Sequence, residues 1–313
     1  MSDNPNQENK SSEKTIVKKS IKEKLLGLEK SYDRYYKIIM LIPVILLVLG
    51  LGYLYFFAQQ NGDIIKKDIT LTGGTSIEIT AKVDIPALRS ELEKNFQEVS
   101  IREVSDLLSG EQIAVIIETT SDVTEVKPFL ENYLGFELNQ DNSSIEFTGS
   151  SLSGSFYNQL RLAILISFIF MSIVVFIIFR TPIPSIAVIF AAFTDIVLTI
   201  ATANLLGMSV STAGIVAILM LIGYSVDSDI LLTTRVLKRK DERVNSRIFG
   251  AFKTGITMTL TSIVVVIIGL ILTSSLSKVF TQIFTVVSIG LFFDIITTWM
   301  FNTGLIKWYA EKK

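Results

Sequence analysis

The chain has 313 residues, 49% of them hydrophobic, with a mean hydropathy of +0.50 and a formal net charge of −1. It contains no cysteine and no histidine, which excludes a disulfide framework, a thiolate metal site and the commonest general base, so any proton chemistry runs on carboxylates. The apolar residues gather into blocks too long for a soluble core. A hydrocarbon layer about 30 Å thick takes about 20 residues of helix, and six such blocks occur, at 38–58, 161–179, 183–204, 211–234, 255–273 and 279–300. They predict a polytopic α-helical membrane protein with six transmembrane helices.

Residues 1–36 form a polar, basic tail, with the first 15 or so expected to be disordered. Residues 15–36 are expected to be a solvated tail, with a basic surface helix as the alternative. No short apolar stretch lies near the start, so a cleaved signal is not expected. Transmembrane helix 1 takes residues 37–58, with Pro43 in its first turns, where a missing N–H does little harm.

The polar insert 59–157 is long enough to be a domain. Ile69–Thr80 alternates apolar and polar residues and predicts a strand, interrupted by Gly73-Gly74. Ile85–Phe96 has helical spacing behind a plausible Asp84 cap. Val99–Leu108 and Gln112–Thr119 predict a hairpin turning at Ser109-Gly110. Asp122–Leu134 predicts a second helix, and Ile145–Phe147 a short last strand. The order β-α-β-β-α-β is that of an α+β ferredoxin-like domain. In Asp68-Ile-Thr-Leu-Thr-Gly-Gly-Thr75, glycines inside a strand suggest a bulge or a close backbone approach. A structural bulge and an interaction site are both open. A phosphate loop is not, because the Lys-Ser/Thr ending and the following helix are missing.

Residues 158–306 hold helices 2–6, and 307–313 form a short tail. Basic residues collect before helix 1 (Lys14 to Lys37), between helices 4 and 5 (Lys238, Arg239, Lys240, Arg243, Arg247, Lys253) and at the end (Lys307, Lys312, Lys313). The positive-inside bias then puts both termini in the cytoplasm and the 59–157 domain on the outer side. Within these apolar blocks stand Asp195, Asp227, Asp229, Arg235 and Asp294. An ionisable group at membrane depth costs several kcal/mol without a partner, so such residues point to function. The alternative is that they only hold helices together. Asp227 and Asp229 face nearly opposite sides of their helix. Asp227 and Arg235 lie about 12 Å apart along it, too far for a direct ion pair.

Two of these stretches resemble the SecF family of protein-export membrane subunits, which belongs with SecD to the RND superfamily. They are Asp68-x-x-x-x-Gly-Gly-Thr-x-Ile-Glu78, and Gly223-Tyr-Ser-Val-Asp-Ser-Asp229 with Arg235. Ala192-Phe-Thr-Asp195 and Leu205-Leu-Gly207 are similar to the family's third helix and its exit turn, and the resemblance runs from about residue 35 to the end. Bacterial members have Asn-Asp where this chain has Asp227-Ser228, and a further Asp where it has Thr234. Val226-Asp-Ser-Asp229 resembles archaeal members, and Asp227 matches the fourth helix of SecD.

The resemblance implies half of an RND-type bundle with one external domain, acting with SecD, a SecYE-type translocon, the translocating polypeptide and membrane lipid. It implies no cofactor, no metal, no enzyme activity and no nucleic acid. Coupling to the proton gradient would use Asp227 as carrier, Arg235 as its electrostatic tuner and Asp195 as relay or structural partner. Asp229 and Asp294 are further candidates, the latter with Thr297 and Asn302, and Asp68, Gly73, Gly74 and Thr75 form the external-domain motif. A SecD-like or other RND-type proton-driven permease for a small or lipid substrate and a scaffold of the translocon without ion coupling are the alternatives.

Overall fold

The computed structural model describes residues 32–106, 109–238, 243–274 and 277–312. The expectations for the tail up to residue 31 lie outside the described residues. Among the described residues, six helices are long and apolar enough to cross a membrane: span 1, Tyr32–Asn61; span 2, Leu152–Phe179; span 3, Pro182–Leu205; span 4, Thr212–Lys238; span 5, Val244–Thr273; and span 6, Lys278–Lys312. The helices outrun the apolar blocks at several ends. The described residues are already helical at Tyr32, inside the stretch expected to be tail; there Asp33 pairs with Lys307 of span 6, whose ammonium also lies 5.1 and 5.2 Å from the Tyr32 and Tyr36 rings. Spans 3 and 4 are the most enclosed, while spans 2 and 5 turn most of their apolar surface outward. Span 6 approaches span 4 closely at Gly290, where an added Cβ would lie 2.4 Å from Leu221.

Between spans 1 and 2 lies a four-stranded antiparallel sheet in the order β2-β3-β1-β4. Its strands are β1 Gly74–Ile79, β2 Ser100–Ser105, β3 Gln112–Thr119 and β4 Ser143–Thr148. Helix α1, Ile85–Asn95, follows β1, and helix α2, Val123–Leu134, follows β3. Both start on an aspartate cap: Asp84 accepts from the Ala87 N–H and Asp122 from the Thr124 N–H, as short acceptors at an N-cap do. Leu88 and Leu92 of α1 and Val126 and Leu130 of α2 repeat every four residues. They pack on Ile77, Ile79, Val115 and Ile117 of the sheet, so one helical stripe meets one sheet face.

One expected strand is corrected. Residues Ile69–Thr72 form a helical turn rather than the beginning of a strand running to Thr80, and β1 starts only at Gly74. The Asp68 side chain caps that turn, accepting from the Thr70 N–H at 3.1 Å. The chain then leaves through Gly73 (φ +86°) and Gly74 (φ +137°). A Cβ on Gly73 would stand 2.5 Å from the Ser150 backbone, and one on Gly74 2.3 Å from the Thr119 carbonyl oxygen. The diglycine is therefore a close crossing of three backbone segments, required by contact as well as by φ. Thr75 fastens the same corner, donating to the Ser121 carbonyl at 2.7 Å.

The segment leading into the sheet is tied to the connection between spans 3 and 4 and to the start of span 4. The Val210 N–H donates to the Lys66 carbonyl at 2.7 Å and the Asp68 N–H to the Val210 carbonyl at 2.9 Å. The Thr212 N–H, at the start of span 4, donates to the Thr70 hydroxyl at 3.1 Å.

Candidate functional site

Three of the membrane-depth acids meet inside the bundle. Asp195 of span 3, Asp229 of span 4 and Asp294 of span 6 are exposed by 0%, 0% and 1%. Their partners are hydroxyls and one amide. Asp195 accepts from Ser225 at 2.6 Å and from Thr297 at 2.7 Å. Asp229 Oδ1 accepts from Thr298 at 2.8 Å and from the Asn302 amide at 2.5 Å. Asp294 lies 3.1 and 3.2 Å from the Ser228 hydroxyl and 3.2 Å from that of Thr298. Among the described residues, no Lys or Arg pairs with any of the three.

Counting protons sets what this cluster can do. A hydroxyl carries one proton, yet Thr298 sits within reach of Asp229 and Asp294 at once. It can donate to one carboxylate, and the other must bring a proton of its own or face it lone pair to lone pair. Ser228 has the same conflict between Asp294 and the Ser225 carbonyl, which is 3.1 Å away. Among the described residues, Asp229 Oδ2 is buried without a hydrogen-bond partner. The constellation is short of protons, and added protons have places to go.

The local backbone explains why span 6 supplies so many donors. Residues Thr297–Asn302 form a π-helix, a widened turn that recurs at functional positions. The Thr303 N–H closes a wide bond to the Thr298 carbonyl five residues back, and the Thr303 hydroxyl donates to the same oxygen at 2.9 Å. This register turns Thr297, Thr298 and Asn302 toward spans 3 and 4.

The other two sequence candidates stand apart. Asp227 is exposed on the outer face of span 4, one turn beyond Tyr224 in a row with Val216 and Met220, which are 39–46% exposed. Arg235 reaches neither Asp227 nor the cluster. Its guanidinium bonds the Gly250 carbonyl and lies 2.7 Å from the Thr254 hydroxyl, joining span 4 to span 5.

A second buried acidic group joins the sheet to the bundle. Lys278, the first residue of span 6, lies 2.7 Å from Asp68 and also pairs with Glu118 of β3. Glu118 accepts in addition from Arg102 of β2 at 2.9 Å. Asp68 and Glu118 are only 3% and 5% exposed. Burial holds the Arg102 guanidinium below its ordinary value, with the charge of Asp68 working against the shift. Glu118, Arg102 and Lys278 escaped the sequence reading. The only signal was a lone lysine in a connection that looks uncharged.

Comparison with known proteins bears on the family. The family described as Protein export membrane protein SecD/SecF, C-terminal, matches residues 130–312. The protein-export membrane protein SecF of Methanocaldococcus jannaschii is 38% identical over 284 residues, which cover 88% of this chain and 96% of that protein. The chain belongs to the SecF family. Its counterpart from Methanothermobacter thermautotrophicus is 38% identical over 281 residues, covering 88% of this chain and 93% of the relative. The crystal structure of SecDF from Thermus thermophilus, described as a translocon-associated membrane protein, superposes with a TM-score of 0.70 at 20% identity. It covers 88% of this chain but only 38% of that longer one, and at such identity it speaks for the fold alone. SecF-family membership makes this chain a membrane protein with an accessory role in Sec protein export, as the motifs at Asp68–Glu78 and Gly223–Arg235 implied.

Proposed function

We propose that this chain works with SecD at a SecYE-type translocon in the cytoplasmic membrane, and that proton movement through Asp195, Asp229 and Asp294 is coupled to export of the translocating polypeptide. The observation carrying this reading is the enclosed carboxylate cluster, bonded by hydroxyls rather than cations and short of protons. One charge crossing a 100 mV potential supplies about 2.3 kcal/mol, enough to bias a two-state packing of spans 3, 4 and 6.

Asp227 belongs to the same proposal in a different position. A carboxylate at hydrocarbon depth on the outside of a bundle needs a partner from another chain. The Val216–Met220–Tyr224–Asp227 face of span 4 is the surface we assign to SecD, with Asp227 linking the cluster to that subunit. Arg235 keeps the cytoplasmic half of span 4 against span 5. Residues 59–157 form a ferredoxin-like domain on the outer side, supported by the β-α-β-β-α-β order and the β2-β3-β1-β4 sheet. Residues 1–36 and 307–313 lie in the cytoplasm, supported by the distribution of Lys and Arg. In this arrangement Asp68, with Gly73, Gly74 and Thr75, forms the joint between domain and bundle.

The test is secretion of a reporter in cells whose only SecF is this chain carrying Asp229→Asn or Asp195→Asn, with and without a proton gradient, after SecD co-purification is verified. Export should fall to the level seen without the gradient. Unchanged export by an assembled complex would favour the scaffold. Asp227→Asn should instead reduce the amount of SecD recovered.

A further inference from the structure

A groove of about 880 Å³ runs between spans 1, 5 and 6, on a side of the bundle that neither acidic group touches. Its walls are apolar along most of their length, from Ile39, Phe252, Ile256 and Ile296. Tyr32, Arg243, Asn245 and Ser246 make one end polar, and Trp299 and Thr303 also line the groove. From Arg243 to Ile256 the groove follows span 5 for about 20 Å at 1.5 Å per residue. One leaflet, from the bilayer midplane through its headgroups, measures about 20–22 Å. Length and polarity therefore match a lipid lying parallel to the helices.

The polar end favours one sign of charge. Arg243 has no ion pair among the described residues, and the N-terminal end of span 5 adds its positive dipole end beside it. The nearby acid Asp33 is already held by Lys307 and by the Asn245 amide at 3.0 Å. Two donors lining the groove are left over. Among the described residues, Trp299 is 8% exposed with no acceptor for its indole N–H, and the buried Tyr32 hydroxyl has no hydrogen-bond partner. An acyl chain with a phosphate and ester oxygens supplies what the walls and donors lack.

We propose that the groove holds one membrane lipid with an anionic headgroup, its chain in the trough and its phosphate at Arg243. The site is independent of the carboxylate cluster, so the lipid and coupling proposals can fail separately.

Trp299 and Trp308 are the two tryptophans of the chain, so Trp308→Phe makes Trp299 the sole reporter. The full-length protein would be placed in vesicles of phosphatidylcholine containing increasing fractions of brominated phosphatidylglycerol or brominated phosphatidylcholine. Half-maximal quenching should need about fivefold less of the anionic lipid, as expected for one basic side chain at an anionic headgroup. Arg243→Lys should keep the preference, Arg243→Gln should abolish it, and Ile256→Phe should reduce quenching by both lipids. Equal quenching by the two headgroups in the unsubstituted groove would mean annular lipid only and would overturn the proposal. So would a preference that survives Arg243→Gln. Protection of Trp299 from both lipids by added SecD would show that a protein helix covers the groove, and would also overturn it.

Discussion

Span 6 carries a residue of each of two buried acidic groups, and the molecule treats them in opposite ways. Near its first turn, Asp68 and Glu118 are neutralised by Lys278 and Arg102. About 24 Å further along the helix, Asp195, Asp229 and Asp294 are met, among the described residues, by hydroxyls and an amide. A buried acid beside a cation is fixed in its charged form, and removal of the cation is strongly unfavourable. A buried acid beside a hydroxyl can take up or give up a proton while keeping its hydrogen bond, since the hydroxyl either donates or accepts. The first group is built as a joint, and the second as a place where charge can change.

Substitutions can break or sharpen that contrast. The largest effect is expected from Lys278→Met, which strands Asp68 and leaves Glu118 with Arg102 alone. It should cost about 3 kcal/mol, the lower end for a broken buried pair, because the Lys278 side chain is 24% exposed. Hydrogen exchange of the sheet in detergent-solubilised protein should show the loss as faster exchange in β1 and β3.

Thr298→Val removes the hydroxyl shared by Asp229 and Asp294 and should cost about 1–3 kcal/mol in thermal unfolding. Asp229→Asn should change stability by no more than about 1 kcal/mol, since a neutral amide oxygen can still accept from Thr298 and Asn302, while gradient-dependent export is lost. If Asp229→Asn proves as destabilising as Lys278→Met, the cluster holds fixed charge and the contrast fails.

The smallest effect concerns Asp122. Its carboxylate accepts from the Thr124 N–H at 2.9 Å and hydroxyl at 2.7 Å, which holds it below the ordinary carboxylate value. Its contribution is present at neutral pH and lost as pH falls through the folded-state value. Asp122→Asn should therefore remove a shallow acid limb from the pH–stability profile of the sheet domain, seen by circular dichroism.

The spans were legible because twenty apolar residues in a row have few other uses, and the acids because they interrupt such runs. Asp229 and Asp294 could be named but not paired, since the residues joining them are Ser228 and Thr298, which look like ordinary polar residues in a membrane helix. Reading Asp227 as the deep carrier followed a motif, but facing direction depends on the whole bundle. Two residues of separation correctly implied opposite faces, without saying which face is enclosed. Arg235 was legible as a residue near the end of its helix, but its partners on span 5 were not. The turn at Ile69–Thr72 is too short for a helical period to show, so its alternation passed for a strand despite the Asp68 cap. Lys278 could not be found at all, because its role depends on Glu118, 160 positions away in the chain.

The backbone crossing at Gly73-Gly74 has a mechanical consequence. Only Gly149 separates the end of β4 at Thr148 from the first residue of the span 2 helix at Ser150, and the diglycine lies against that same Ser150 backbone. The sheet is thus seated directly on the end of span 2 and pinned to span 6 by Lys278, while the turn leading into it is stitched to the entrance of span 4 through Val210 and Thr212. A load on the sheet reaches three helices without a slack linker to absorb it. A tilt of any of those helices is likewise delivered to the sheet as displacement, with little lost motion at the hinge.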